Sequence, residues 1–288
     1  MRLFLALMAG LFLTSTADAQ SGDPLSTPLG SYYQALEARL VGEGRLRQDR
    51  TGHGLAPDEL AQSFMAIAMR SEYRMGNGGI VRSGHAAPLR RWEQPVRISL
   101  RFGASVPLPQ QTRDRAVVSD VAGRLSRAMG HPVSMVGQGA NFHVLVLNDA
   151  ERSGIAPILR ELVPGISNSA VNAVRRMSRN TFCMVIALPA ADPRQGYAQA
   201  VAIVRAEHPP RMRRSCIEEE LAQGMGLAND SPDAWPSIFN DDEEFGVLTR
   251  HDELLLRLLY DPRLVPGMSA RDVAALLPQL CAQLLGHG

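Results

Sequence analysis

Lysine is absent from this chain of 288 residues, and all 30 of its basic residues are arginine. Without a lysine amine, the chain cannot form a Schiff base with a carbonyl substrate or supply the lysine of a phosphate-binding loop. A catalytic Ser-Lys dyad is excluded for the same reason. Aldolase-like, pyridoxal-dependent and ATP-hydrolysing mechanisms are therefore not expected.

The chain also lacks an excess of charge of one sign. Its 30 basic residues meet 29 acidic residues, which leaves a formal net charge of +1. The one basic run, at 211–214, is followed closely by three glutamates. Because nucleic-acid-binding domains usually carry a strongly basic face, we expect no nucleic-acid partner.

Long apolar runs are missing from the chain beyond its N-terminal stretch. No later segment approaches the roughly eighteen uninterrupted apolar residues that a transmembrane helix needs. The first residues combine Arg2, an apolar stretch at 3–13 and the small-x-small sequence Ala17-Asp18-Ala19. This order is typical of a cleavable secretory signal peptide. We therefore predict a signal peptide at 1–19, cleavage near Ala19, no transmembrane segment, and a mature protein that is periplasmic or secreted.

Cysteine is scarce, with only Cys183, Cys216 and Cys281 in the chain. In an oxidising compartment, two of the three can form a disulfide and one is left over. We favour a disulfide between Cys183 and Cys216, with buried free thiols as the alternative. Neither a Gly-x-Ser-x-Gly nucleophile elbow nor a glycine-rich loop between a strand and a helix is present.

The order of hydrophobic patterns predicts an α+β fold, with strands first and most helices last. Helical patterns at 30–40 and 57–73 predict a small N-terminal helical extension at 20–90, which a glycine-rich segment at 76–79 closes. The main domain, at 91–288, is predicted to pack a mixed sheet on helices. Its predicted strands are 95–102, 133–136, 142–147, 181–188 and 197–205, and its predicted helices are 113–129, 216–225, 252–260 and 270–285.

The most informative segment is the predicted helix that begins at Cys216. Zinc peptidases place two metal ligands four residues apart on one helix, with a general-base glutamate directly after the first ligand. Glu219 and Gln223 have this spacing, and Glu220 stands at the position of the base. The residue spacing of a zinc site is therefore present, but the histidine ligands are absent.

The residues after this helix extend the same comparison. Gly226 stands where long-motif zincins turn the chain toward a third ligand, and Asn229 and Asp230 stand where that ligand would be. Carboxylate and amide oxygens suit hard cations better than they suit zinc. The candidate cofactor is therefore a divalent metal, with Mn²⁺ and Ca²⁺ weighed equally with Zn²⁺.

Two further segments match zinc peptidases in order. The sequence at 236–240 resembles the turn beneath the metal, with Phe239 where a methionine is usual, and 248–260 resembles the helix that closes the domain. The stretch at 216–268 also resembles a proteobacterial family of exported, zincin-like proteins known as domain of unknown function 2927. Its characteristic sequences here are Cys-x-x-Glu-Glu, Asn-Asp-Ser-Pro, Pro-Ser-Ile-Phe-Asn-Asp, His-Asp-Glu-Leu-Leu-Leu-Arg and Tyr-Asp-Pro-Arg-Leu.

This resemblance implies a zincin-like domain with an altered metal motif, over roughly the last two-thirds of the chain. The first hypothesis is a non-catalytic or cryptically catalytic relative of zinc peptidases that binds a peptide or an envelope protein in its cleft. The second is an active metal-dependent hydrolase, with Glu219, Gln223 and Asn229 or Asp230 as ligands and Glu220 as the base. A third is a purely structural role in the envelope.

Each candidate also has a structural explanation that needs no function. Ser215 and Glu218 have the spacing of a capping box. An apolar stripe of Ile217, Leu221 and Met225 would leave Glu219 and Gln223 on an opposite, solvated face. The acidic run at 241–244 is expected to be a solvated loop. His251 is expected on the surface at the start of a capped helix, and His143 is expected in a strand with a hydrogen-bond partner.

Overall fold

The computed structural model describes residues 23–50, 56–76, 79–240 and 242–286. The predicted signal peptide at 1–19 and its cleavage site at Ala19 lie outside the described residues. Within the described part of the chain, no helix combines the length and the apolar character needed to cross a membrane.

The described residues form nine α-helices and seven strands, besides two short 3-10 helices. The helices are α1 (Pro28–Gly42), α2 (Pro57–Ala68), α3 (Leu108–Met129), α4 (Asp149–Ser153), α5 (Ala156–Leu162), α6 (Asn168–Arg175), α7 (Pro210–Gln223), α8 (Arg250–Leu259) and α9 (Ala270–Leu284). The strands are β1 (Arg70–Gly76), β2 (Gly79–Ala86), β3 (Val96–Phe102), β4 (Val133–Met135), β5 (Phe142–Leu147), β6 (Cys183–Pro189) and β7 (Tyr197–Arg205).

A five-stranded mixed sheet lies at the centre, in the order β4-β3-β5-β7-β6. The first four strands of this order are parallel to their neighbours, and β6 is antiparallel to β7 at one edge. The predicted α+β class and the mixed sheet packed on helices are therefore confirmed. All five predicted strands of the main domain are present, within two residues at each end.

Both faces of the sheet are covered, because successive side chains of the central strands enter different cores. Phe142, Val144 and Val146 of β5 join the larger core with α2, α3, α7, α8 and α9. Leu145 and Leu147 join a smaller core, to which α5 and α6 also contribute. β5 is buried along its whole length, which explains why its sequence is apolar apart from His143.

The segment at 70–86 is a correction to the predicted N-terminal helical extension. The helix predicted at 57–73 ends at Ala68, and β1 and β2 then pair as an antiparallel hairpin in which Gly76 is opposite Gly79. Asn77 and Gly78, between the strands, lie outside the described residues. Asn-Gly is a common sequence of two-residue hairpin turns, so a hairpin signal was present in the segment interpreted as a boundary.

Helix α2 does not form a core of its own. Leu60, Phe64 and Ile67 are fully buried in the larger core, where α2 packs against α8 and α9. The boundary predicted near Arg91 therefore does not divide two hydrophobic cores. By contrast, α1 contributes Tyr33 and Leu40 to a small separate cluster.

Candidate functional site

Helix α7 places the candidate residues beneath the edge of the sheet. It begins at Pro210, which suits the first helical position because proline has no amide hydrogen to satisfy there. The predicted start at Cys216, with a capping box of Ser215 and Glu218, is therefore wrong. Ser215 lies inside the helix and is 4% exposed, so this glutamate-rich segment is not a solvated helix start.

The first of the three consecutive glutamates has a structural role. Glu218 is fully buried, and its carboxylate accepts hydrogen bonds from Arg124 Nη1 at 2.8 Å and Arg214 Nε at 2.8 Å. The backbone amide of Leu248 donates a third, at 2.9 Å. This carboxylate therefore ties α7 to α3 and to the segment that leads into α8.

The next two glutamates face a cavity instead. Glu219 and Glu220 line a cavity of about 370 Å³ between α7 and β6. Glu220 is 4% exposed, and its Oε2 is buried without a hydrogen-bond partner among the described residues. The other polar side chains that line this acidic cavity include Glu72, Asn180, Thr181, Gln223, Asp230, Asn240 and Glu243.

Burial and neighbouring negative charge raise the pKa of both cavity glutamates. For Glu219, desolvation has the largest effect, followed by the charges of Asp230 and Glu220, and its pKa lies well above the usual value. For Glu220, desolvation is followed by the charges of Glu72 and Asp230, which outweigh a hydrogen bond from the Val185 amide. Each shift favours the protonated, neutral carboxyl group.

The structure brings together three of the four predicted metal ligands and separates the fourth. Gln223 Nε2 donates a hydrogen bond to Asp230 Oδ1 at 2.9 Å, and both residues line the acidic cavity with Glu219. Asn229 lines an adjoining cavity, and its amide donates to the carbonyl oxygens of Ala66 and Asp230 at 2.9 and 2.7 Å. The turn before these residues is at Gly226, with a φ of +126°.

This arrangement does not fit a resident zinc ion. In the described ranges, no three histidine, cysteine, aspartate or glutamate side chains are placed to hold a metal ion. The amide of Gln223 is engaged with Asp230, and an amide carbonyl is in any case a poor zinc ligand. The residues that face the cavity therefore present carboxyl groups without a preformed cation site.

A disulfide lies beside the acidic cavity, which Cys183 lines. Cys183 in β6 and Cys216 in α7 are joined with an S–S distance of 1.96 Å, and Cys281 is a buried free thiol. The Sγ atom of Cys216 also lies 3.7 Å from Nδ1 of the buried His208. The bond fixes the edge strand to the helix that carries the candidate residues.

Two more cavities adjoin the acidic one and extend it into a groove. A cavity of about 270 Å³ follows β6 at 184–189, and one of about 840 Å³ lies between α2, β1 and α9. All three cavities are lined in part by Glu72 of β1. The backbone amide of Glu72 donates to the carbonyl of Ala228 at 2.9 Å, which holds the hairpin against the loop after α7.

Glu72 is a site residue that the sequence analysis missed. It lies in a segment interpreted as helix, far along the chain from the α7 motif, and no spacing rule connects the two. Only the pairing of β1 with β2 and the packing of this hairpin near α7 bring its carboxyl group to the cavity.

The turn at 236–239 is held by one aspartate of α8. The carboxyl group of Asp252 accepts hydrogen bonds from Ser237 Oγ at 2.5 Å, the Ile238 amide at 3.1 Å and the Thr249 amide at 2.8 Å. Burial nevertheless raises the pKa of Asp252 to about 6. Thr249 is the N-cap of α8, since its Oγ1 accepts a hydrogen bond from the Asp252 amide.

The structure contradicts the prediction for His251 and agrees with the prediction for His143. His251 was expected on the surface but is fully buried, and desolvation lowers its pKa to about 4. His143 lies in β5 with Nδ1 at 2.7 Å from Ser99 Oγ, as predicted. In the acidic run, Asp241 lies outside the described residues, Glu243 lines the acidic cavity, and Glu244 pairs with Arg47 at 2.9 Å.

Comparison with known proteins identifies the family. The family model described as Protein of unknown function (DUF2927) matches residues 57–279, and the chain belongs to this family. The match begins at the first residue of α2, so it includes the hairpin as well as the sheet and α7. No curated protein and no solved structure matches the chain.

Proposed function

We propose that this chain is an exported, zincin-like protein whose groove binds a peptide or an envelope protein without hydrolysing it. The observation that carries the proposal is a sheet edge without a neighbouring strand beside a buried acidic cavity. The outer edge of β6 pairs with no other strand in the described ranges, and residues 184–189 line the groove consecutively. An extended peptide can add to such an edge through its backbone amides and carbonyls.

The acidic cavity gives this edge a second binding element. Because their pKa values are raised, the carboxyl groups of Glu219 and Glu220 hold protons more readily than ordinary glutamates do. A neutral carboxyl group both donates and accepts hydrogen bonds, which matches the donors and acceptors of a peptide backbone. The partnerless Oε2 of Glu220 is a buried polar atom that a bound ligand would satisfy.

The zincin-like interpretation draws support from the order of elements. The edge strand β6, the strand β7, the helix α7 with its glutamates, the turn at 236–239 and the helix α8 follow one another in the order of the zinc-peptidase motifs. Gly226 makes the turn that the sequence comparison expected after α7. Export rests on the predicted signal peptide, and sequencing the N-terminus of the protein purified from the periplasm or the medium tests cleavage near Ala19.

Selection of random displayed peptides against the disulfide-bonded protein tests the binding function. Peptides that bind should lose affinity by roughly tenfold or more in an Ala187→Trp variant, which fills the groove beside β6, and in a Glu219→Gln, Glu220→Gln variant. A matched control is Glu43→Gln, Glu161→Gln, which alters two exposed glutamates that line none of the three cavities. Failure to enrich any peptide or envelope protein, or equal binding by all variants, would refute the proposal.

The alternative is a metal-dependent hydrolase that assembles its site only when the metal binds. The spacing of Glu219 and Gln223, with Asp230 beside them, favours it, and Glu220 would be the general base. Elemental analysis after dialysis against trace Zn²⁺, Mn²⁺ and Ca²⁺ should then find near-stoichiometric metal that a Glu219→Ala, Gln223→Ala variant lacks. A Glu220→Gln variant should keep the metal and lose turnover. Absence of metal in the parent protein would leave the binding function.

A further inference from the structure

Another cavity on this protein is lined mostly by arginine. It has a volume of about 290 Å³, lies between α3 and α8, and shares no lining residue with the acidic cavity or its two neighbours. We call it the arginine groove. Its lining residues are Arg50, Arg124, Arg127, Ala128, Arg250, Glu253, Leu254 and Arg257.

The packing of α3 on α8 places these side chains together. Arg124 and Arg127 are three residues apart on α3, and Arg250, Glu253 and Arg257 follow one another at three and four residues on α8. Residues with this spacing project from one face of a helix. Because the two faces meet, five guanidinium groups and one carboxylate line the groove.

The one carboxylate of the groove is already neutralised. Arg124 is 5% exposed, and its Nε and Nη2 donate to Glu253 Oε1 at 3.1 and 2.9 Å. The rest of the same guanidinium is bound by Glu218 and by the Leu248 carbonyl, at 2.8 and 2.9 Å. Arg124 is therefore a structural residue, and its ion pair with Glu253 neutralises the one carboxylate of the groove.

The other arginines keep their charge available. Arg127, Arg250 and Arg257 are exposed, and none has a side-chain hydrogen bond or ion pair with a described residue. Arg50 has only long contacts, at 3.5 Å to Asp120 and 4.0 Å to Glu218. The groove thus holds several like charges close together, an arrangement that a bound anion stabilises.

We propose that the arginine groove binds the phosphate group of an anionic ligand, supplied by a membrane lipid headgroup or by free phosphate. A guanidinium presents paired N–H donors that match two phosphate oxygens, and arginine clusters are the usual protein partners of this group. The volume holds one phosphate group with water, which fits a small headgroup better than a long polymer.

Binding of inorganic phosphate is measured by calorimetry. Binding to phosphatidylcholine vesicles, with and without phosphatidylglycerol, is measured by sedimentation. An Arg127→Ala, Arg257→Ala variant should weaken binding by roughly tenfold or more, because each lost guanidinium removes charge-assisted hydrogen bonds. The control Arg211→Ala, Arg271→Ala removes the same charge from exposed arginines outside the groove and should leave binding nearly unchanged. Glu253→Gln removes the carboxylate and should tighten binding.

The results separate the two ligand sources. Binding of free phosphate without vesicle association assigns the groove to a soluble ligand, and association only with phosphatidylglycerol vesicles assigns it to a lipid headgroup. The proposal is overturned if neither probe binds at moderate ionic strength, or if the groove variant and the control variant lose binding equally. Thermal unfolding of each variant checks that the fold is kept.

Discussion

The disulfide between Cys183 and Cys216 should contribute a large share of the stability of this protein. It closes a loop with a sequence separation of 33 residues. In the chain-entropy model, cross-linking a loop of this length destabilises the unfolded state by about 3.7 kcal/mol at 25 °C. For a domain of this size, that free energy corresponds to a fall of about 7 to 15 °C in the melting temperature when the bond is lost.

The test compares two ways to remove the bond. The Cys183→Ala, Cys216→Ala variant and the dithiothreitol-reduced parent protein are unfolded with urea and with heat, beside the oxidised parent. Both treatments should lower the free energy of unfolding, because both remove the cross-link. The double variant should lower it slightly more, since it also removes side-chain volume that reduction preserves. Cys281→Ala is the control for a buried cysteine outside the bond, and its effect should not depend on reductant.

The result that would refute this reasoning is equal stability of the oxidised and the reduced parent protein. Loop closure would then add nothing, and the unfolded chain would already be restricted over 183–216. If reduction lowers peptide binding more than it lowers stability, the bond also keeps β6 in place beside α7.

Three further predictions concern the scaffold around the groove. Glu218→Ala removes one of the two carboxylate partners of the buried Arg124 and leaves the Leu248 amide without its acceptor, so urea unfolding should show a loss of about 3 to 5 kcal/mol, and a loss under 1 kcal/mol would contradict the role of this carboxylate. Gly226→Ala places a Cβ atom 2.2 Å from the Arg90 carbonyl at a φ of +126°, and should lower the free energy of unfolding by about 2 kcal/mol or more. The pKa of His251 is lowered to about 4, so its contribution to stability is fully present above pH 6.5 and is lost as the pH falls toward 4. The loss is on the order of 3 kcal/mol, and urea unfolding of His251→Leu between pH 7 and 4 should show that it has disappeared.

The central sheet was predictable because its strands are short apolar runs between turn signals. β5 is buried along its length and is apolar apart from His143, which is the pattern of a parallel central strand. Helices α4, α5 and α6 were missed because they span only five to eight residues, too few for a helical period to stand out. The hairpin of β1 and β2 was missed because the helical pattern of α2 was extended past Ala68.

The candidate site was predictable only in part. The spacing of Glu219, Glu220 and Gln223 on one helix is a local property, and these three residues line one cavity together with Asp230. Glu72 reaches the same cavity from a different element, through pairing that no local pattern encodes. The burial of His251 escaped prediction for a related reason, since a capped helix start is usually exposed and only the packing around α8 covers it.

Three consecutive glutamates on α7 show how one helix can serve both the scaffold and the site. Successive helical side chains point about 100° apart, so Glu218 meets two arginines and a backbone amide while its two neighbours face the cavity. No ion pair joins Glu219 or Glu220 to a described residue, and burial raises the pKa of both. A buried carboxyl group without an ion-pair partner costs free energy that a paired or apolar residue would not, and the Val185 amide satisfies only part of the Glu220 carboxyl group. This cost arises at Glu219 and Glu220, which face the cavity. It does not arise at Glu218, whose ion pairs stabilise the fold. That contrast, within one sequence of three identical residues, supports the proposal that this protein binds its partner in the groove.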